Sequence, residues 1–204
     1  MSSAEQIPSP VRVFWGEIAP ADHIAHFYND EKSFLVTLAG FIAEGLANGE
    51  SAIIIATPQH LARLEERLEK SGLDLPAALL EERYIALDAE AALASFMRKN
   101  WPDDRLFAEM VGNLIRRASR KGRRVRAFGE MVALLWAQGQ QEATIRLEYL
   151  WNVFCRDYGF CLLCSYPKAG FTKDPQQSIA EICGHHSRYL GNDWGTPAPA
   201  GEAA

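Results

Sequence analysis

The sequence predicts an α/β fold, a three-layer αβα sandwich around a mainly parallel sheet, and three observations carry that prediction. Short continuous apolar runs occur at Ser51–Thr57, Arg83–Asp88, Arg124–Phe128 and Phe160–Tyr166. Helix-length segments with apolar residues at spacings of three and four separate them. Gly or Pro stands near most of the boundaries, at Gly49, Pro58, Gly72, Gly122, Gly159 and Pro167. Strands buried on both faces and joined by ten or more helical residues fit parallel βαβ units.

The elements follow in order. Asn29 or Asp30 is a good helix N-cap, and Glu31 adds negative charge to the first turn. Phe34, Leu35, Leu38, Phe41, Ile42 and Leu46 then mark an amphipathic helix that Asn48 and Gly49 close. The run Ser51–Thr57 is a strand that Pro58 stops. His60 to Ser71 reads as a charged helix with Leu61, Leu64 and Leu68 inward, ended by Gly72. After the strand Arg83–Asp88, a helix is expected over Ala89–Arg98 and a break at Asn100-Trp101-Pro102. A longer helix over Asp103–Lys121 has acids first and bases last, the order its dipole favours.

Gly122 releases the chain into the strand Arg124–Phe128. Residues 131–137 read as a short buried helix or loop, and Gln141–Tyr158 as a helix with Ile145, Leu147, Leu150, Trp151 and Phe154 at helical spacing. Gly159 ends it before the strand Phe160–Tyr166, and a last helix is expected over about Pro175–Tyr189. A single domain over residues 11–190 accounts for all of this, with residues 1–10 and 191–204 read as flexible termini.

Composition bounds the function. The 204 residues carry 21 Lys+Arg against 26 Asp+Glu, a formal net charge of −5, with 48% hydrophobic residues. Such a chain can bury a sizeable core, so general disorder is excluded. Its mild acidity gives no overall attraction to nucleic acid or anionic membrane. The basic run Arg116, Arg117, Arg120, Lys121, Arg123, Arg124 and Arg126 is the one strong local bias, read as a solvated face or a partner-docking patch. No apolar stretch is long enough for a membrane span and no signal peptide is visible, so a cytoplasmic location is expected. The four cysteines are read as reduced thiols.

In open parallel sheets the ligand crevice lies beyond the carboxyl ends of the strands. That rule selects Thr57, Asp88, Glu130 and Tyr166. Capping of the following helix accounts for Thr57 and Asp88 without any site. Glu130 stands between a strand and an apolar segment. Its two readings are an ion pair with an arginine such as Arg126 or Arg146, and a carboxylate serving a site. Glu148, Trp151 and Asn152 share one side of their helix, where a Trp is more often core.

His23, His26 and Tyr28 bring two imidazoles and a phenol into one short loop before the first helix. Histidines tied to backbone groups are the commoner case than a metal pair, and no metal is expected. Cys161-x-x-Cys164 on a strand points its thiols to opposite faces, which argues against a shared metal, though Cys164 lies near the strand end. The sequence has no phosphate-binding glycine loop with Lys-Ser/Thr, no dinucleotide fingerprint and no Gly-x-Ser-x-Gly elbow. No cofactor and no catalytic residue is assigned.

Several ordered pieces resemble one family. They are His23-Ile-Ala-His-Phe-Tyr28, Phe41-Ile-Ala-Glu-Gly-Leu-Ala-Asn-Gly-Glu50 leading into Ile53-Ile-Ile-Ala-Thr57, Arg126-Ala-Phe-Gly-Glu-Met131 with Leu135-Trp136, Leu147-Glu-Tyr-Leu-Trp-Asn152, and Leu163-Cys-Ser-Tyr166. Together these resemble the MEDS domain, the sensory domain named from methanogen and methylotroph regulators, from about Trp15 to Tyr189. The resemblance implies a RecA-like or KaiC-like sandwich without its phosphate loop, sensing small organic compounds in prokaryotic signalling. Such domains are often joined to histidine kinase or helix-turn-helix output modules. This chain shows none, so action through a separate partner, such as a histidine kinase or regulator, is expected. Asn100 is a second departure, standing where a glycine is expected. The ligand-binding residues expected are His23, His26, Tyr28, Thr57, Glu130, Trp136, Glu148, Trp151, Cys164, Tyr166 and His186. Direct nucleic-acid or membrane contact is not expected, and homodimerisation is compatible with the sequence. The alternative function is a degenerate RecA/KaiC-like nucleotide-binding protein with weak or no ATPase activity.

Overall fold

Six parallel strands form the centre of the molecule in the order β3-β2-β6-β7-β1-β8, in a computed structural model that describes residues 15–191. The expected termini, apart from Gly191, lie outside the described residues, as do residues 11–14 of the expected domain. The strands are β1 (His23–Tyr28), β2 (Ser51–Ala56), β3 (Tyr84–Asp88), β6 (Val125–Gly129), β7 (Cys161–Pro167) and β8 (Arg188–Leu190). A separate two-residue pair, β4 (Met97–Arg98) and β5 (Trp101–Pro102), runs antiparallel.

Helices cover both faces. One layer holds α1 (Glu31–Ala47), α2 (Pro58–Lys70) and α3 (Leu75–Leu80), whose Phe34, Leu38, Phe41, Leu64, Leu68 and Leu75 pack against Ile24, Ile54, Phe128 and Leu163. The other layer holds α4 (Ala89–Phe96), α5 (Asp104–Ala118), α6 (Met131–Ala137), α7 (Gln141–Tyr158) and α8 (Pro175–Cys183). Their Phe96, Phe107, Val132, Leu147 and Ile182 meet Ala25, Ile53, Ala127 and Leu162. Successive residues of β2, β6 and β7 alternate between the two cores, as the two-residue period of a strand requires. The α/β sandwich read from the sequence is therefore the observed one.

Four details differ from the sequence reading. The segment His23–Tyr28 is a buried strand and not a loop, because its histidines find internal partners that let the whole run enter the sheet. The last helix ends at Cys183, and Arg188–Leu190 pairs with β1 as the sixth strand. Helix α4 stops at Phe96, where the chain turns through Lys99 and Asn100 at φ of 50° and 62°. Asn tolerates that left-handed backbone better than most residues, which accounts for Asn100 in place of glycine. A short helix, α3, fills the stretch before β3.

Asp30, Thr57, Asp88 and Asp103 each cap a helix by accepting a backbone N–H, so the capping reading of Thr57 and Asp88 holds. At the amino end of the sheet a buried ion pair joins Arg126 Nε to Glu50 Oε2 at 2.5 Å. The same guanidinium donates to the carbonyls of Phe41 and Trp15 and lies over the Phe41 ring. Among the described residues no helix is long and apolar enough to cross a membrane.

Candidate functional site

The sheet brings the expected residues into two groups and leaves three, His26, Trp136 and Trp151, elsewhere. The first group lies where β2 and β6 end. The chain leaves β2 toward the α1–α3 layer and leaves β6 toward the other, so their carboxyl ends form a topological switch point, the place where open parallel sheets seat their ligands. Glu130 follows β6 directly, and its N–H donates to Ile55 O at 2.8 Å. Its carboxylate accepts from the Thr57 N–H at 2.8 Å and meets His60 Nδ1 at 2.7 Å. Neither Arg126 nor Arg146 is the partner: the first is held by Glu50 and the second by Asp104.

His60 is the residue the sequence reading missed at this end. The signal available was a histidine in the first turn of a helix that starts at a strand end. The hydrogen bond that His60 donates to Glu130 raises the His60 pKa, against partial burial, with the Glu130 and Glu31 charges adding to the rise. His60 Nε2 lies 3.4 Å from Glu31, which also pairs with Arg63. Tyr28 stacks on Phe34 at 4.9 Å between centroids, and Phe34 meets the His60 ring edge-on at 4.9 Å. Burial, with the Glu130 and Glu31 charges, pushes the Tyr28 hydroxyl up to about 12, so it remains a hydrogen-bond donor.

The second group is buried on the other face of the sheet. His23 opens β1, Cys164 sits in β7, Glu148 projects from α7, and His186 lies in the turn between α8 and β8. Their four ligand-type atoms fall within 4.8 Å of one another. Glu148 Oε2 is 3.2 Å from His23 Nε2 and 3.6 Å from Cys164 Sγ, and Oε1 is 3.5 Å from His186 Nε2. Tyr166 donates its hydroxyl to Glu148 Oε1.

Both rings have their other nitrogen committed. His23 Nδ1 lies 3.0 Å from His185 O and His186 Nδ1 2.7 Å from Ile182 O. A carbonyl only accepts, so each Nδ1 carries a proton, and Nε2 is the ring nitrogen turned toward Glu148. Burial lowers the His186 pKa, and although burial also opposes ionisation of Glu148, the imidazole and hydroxyl partners around it hold that carboxyl below its usual range. Burial pushes the Cys164 and Tyr166 protons well up.

Neither doublet weighed in the sequence supplies this cluster. It takes one member from each, His23 and Cys164, because residues three apart on a strand diverge to opposite faces. His26 accordingly lies on the other face, its Nδ1 3.2 Å from Ser165 Oγ. Cys161 likewise joins the other core.

Trp151 is core: it meets Phe107 edge-on at 5.0 Å, and its buried Nε1 has no hydrogen-bond partner. Trp136 donates to Gly170 O at 3.1 Å and lines a cavity of about 420 Å³ with Gly139, Gln141 and Lys173. The basic run borders a different cavity, about 510 Å³, at the amino ends of the strands, lined by Lys121, Arg123, Arg124, Arg126 and Glu50. Glu82 pairs with Arg117 and Arg120 in that run.

No curated protein matches the chain. The family model described as MEDS, the MEthanogen/methylotroph, DcmR Sensory domain, matches residues 22–187. That span opens one residue before β1 and closes one residue after His186, so it contains both groups of side chains. The chain belongs to the MEDS family of sensory domains.

Proposed function

We propose that the chain senses a small organic molecule without transforming it and passes the signal to a separate protein, a histidine kinase or transcription regulator. The observation that carries this reading is the Glu130–His60 pair at the β2 and β6 ends, beside Thr57 and the Tyr28 and Phe34 rings. A few convergent polar groups against aromatic walls suit a small ligand. A hydroxyl or carbonyl of the ligand exchanges hydrogen bonds with this pair. Because Glu130 holds the Thr57 N–H and Thr57 caps α2, a shift of the carboxylate is felt at the start of that helix. Differential binding to two such arrangements is what a sensor needs.

Family membership supports the sensory role and the non-catalytic reading. The proposal includes a cytoplasmic protein with no direct nucleic-acid or membrane contact, compatible with homodimers. It also includes a RecA/KaiC-like ancestry without the phosphate loop. Retained nucleotide binding is disfavoured by the first crossover. Only Asn29 and Asp30 connect β1 to α1, and the Asp30 carboxylate already accepts from the Ser33 N–H, with Glu31 next to it. Those charges repel a phosphate at the helix start, where one usually binds.

Thermal-shift screening of small organic metabolites against wild type and Glu130→Gln tests the reading. Ligands that raise the wild-type midpoint and lose that effect in Glu130→Gln are expected. Equal shifts in both proteins remove Glu130 from the site, and micromolar binding of ATP with magnesium by calorimetry favours the nucleotide reading instead.

A further inference from the structure

We propose that His23, Glu148, Cys164 and His186 bind one divalent transition-metal ion of the zinc class. This inference is independent of the sensory reading. It begins with an unsatisfied atom: His186 Nε2 is buried and has no hydrogen-bond partner. Its lone pair faces Glu148 Oε1 at 3.5 Å, acceptor against acceptor. His23 Nε2, equally turned inward, stands 3.2 Å from Glu148 Oε2 and 3.4 Å from Cys164 Sγ. A buried ring nitrogen left without a partner beside a carboxylate costs free energy, and an ion seated among these four atoms satisfies it.

The spacing fits such a centre. Metal bonds of about 2.0–2.3 Å in a tetrahedron give ligand-to-ligand edges of roughly 3.3–3.8 Å. Four of the distances in the cluster are 3.2, 3.4, 3.5 and 3.6 Å, the first and last to Glu148 Oε2 and the third to its Oε1, and all four ligand atoms lie within 4.8 Å of one another. Two imidazoles, a carboxylate and a thiol form a mixed set of borderline softness, which suits zinc better than magnesium or calcium. The groups that orient these ligands are also present. Each imidazole donates its outer N–H to a backbone carbonyl, and Tyr166 donates to the carboxylate. Metal-binding histidines are usually held in this way.

On binding, the Cys164 S–H bond breaks, its sulfur bonds the metal and the proton leaves to solvent. The ion's two positive charges then balance the thiolate and the carboxylate, leaving no net charge buried. Four protein ligands close the shell, so the ion is structural. It ties β1, β7 and α7 to the turn that carries His186. That turn is the entry path, since Gly184 and Ser187 beside it are exposed.

The test is titration of chelator-treated full-length protein with zinc chloride or cobalt chloride. One equivalent is expected to bind, cobalt giving visible ligand-field bands and a thiolate charge-transfer band, and zinc raising the unfolding midpoint. Cys164→Ser is expected to lose the charge-transfer band, and both it and His186→Gln to bind at least about tenfold more weakly. Circular dichroism of the metal-free variants checks that they fold. If Cys164→Ser does not fold, the wild-type cobalt spectrum decides alone. No binding, or cobalt binding without a thiolate band, or affinity unchanged in both folded variants, overturns the proposal.

Discussion

His26 makes the stability of this domain depend on pH in a direction that the structure fixes. The imidazole is buried beneath the α1–α3 layer, with Ser165 Oγ as its side-chain hydrogen-bond partner. Burial, helped by the Lys168 charge, lowers its pKa from 6.5 to about 4. Between those values the unfolded chain binds a proton that the folded chain refuses. Stability from this group is therefore complete above the unfolded value and is lost as the pH falls toward the folded one. The linkage relation gives a loss of about 2 kcal/mol by pH 5 and about 3 kcal/mol below both values.

The perturbation that isolates this term is His26→Asn, which keeps a polar group near Ser165 and does not titrate. Urea unfolding of both proteins at several pH values between about 7.5 and 5 measures the difference. The variant is less stable at neutral pH but its curve is flatter, and the gap narrows by about 2 kcal/mol on acidification. His60 and His186 titrate in both proteins and cancel in the difference. Parallel curves would refute the reasoning, because they would mean that His26 is protonated as easily in the folded state as in the unfolded one.

Two further outcomes follow from the amino end of the sheet. Glu50→Gln strands the Arg126 guanidinium, and a loss of roughly 3–5 kcal/mol is expected by urea unfolding. The double variant Glu50→Leu with Arg126→Met recovers most of that loss if the unpaired charge is its cause. Gly45→Ala places a methyl group 2.7 Å from Arg126 Cδ and 3.2 Å from Glu50 Oε2, on a side chain held by three hydrogen bonds. A loss of about 1–3 kcal/mol is expected, and wild-type stability would show that Arg126 is free to move aside.

The pattern of periods made the inner strands and the long helices legible, since Ile53, Ile54 and Ile55 or Leu162 and Leu163 have no other place to go. It failed where a strand carries histidine and tyrosine, as β1 does. It failed again at β8, a three-residue edge strand too short to show any period. The strand-end rule put Glu130 just past β6, where it stands, but the ion pair weighed for it was with an arginine, and its partner is His60. Arg126 lies in the strand that leads up to Glu130 but turns toward Glu50 and α1, while His60 arrives from another element. Five residues of the buried cluster were named from the sequence. Their separation from Thr57, Glu130 and Trp136 depends on which face of the sheet each side chain takes, and that becomes known only once the strand register is known.

The pairing of β8 with β1 also has a mechanical meaning. Ser187 Oγ donates to Asp22 Oδ1, its N–H donates to His23 O, and His23 N–H donates back to Ser187 Oγ. The two ends of the family span are therefore buckled together at one edge of the sheet, a few residues from both histidines of the buried cluster. A pull on residue 22 or on residue 187 loads the same three hydrogen bonds. Once they part, β8 and the turn bearing His186 are the first pieces free to peel away.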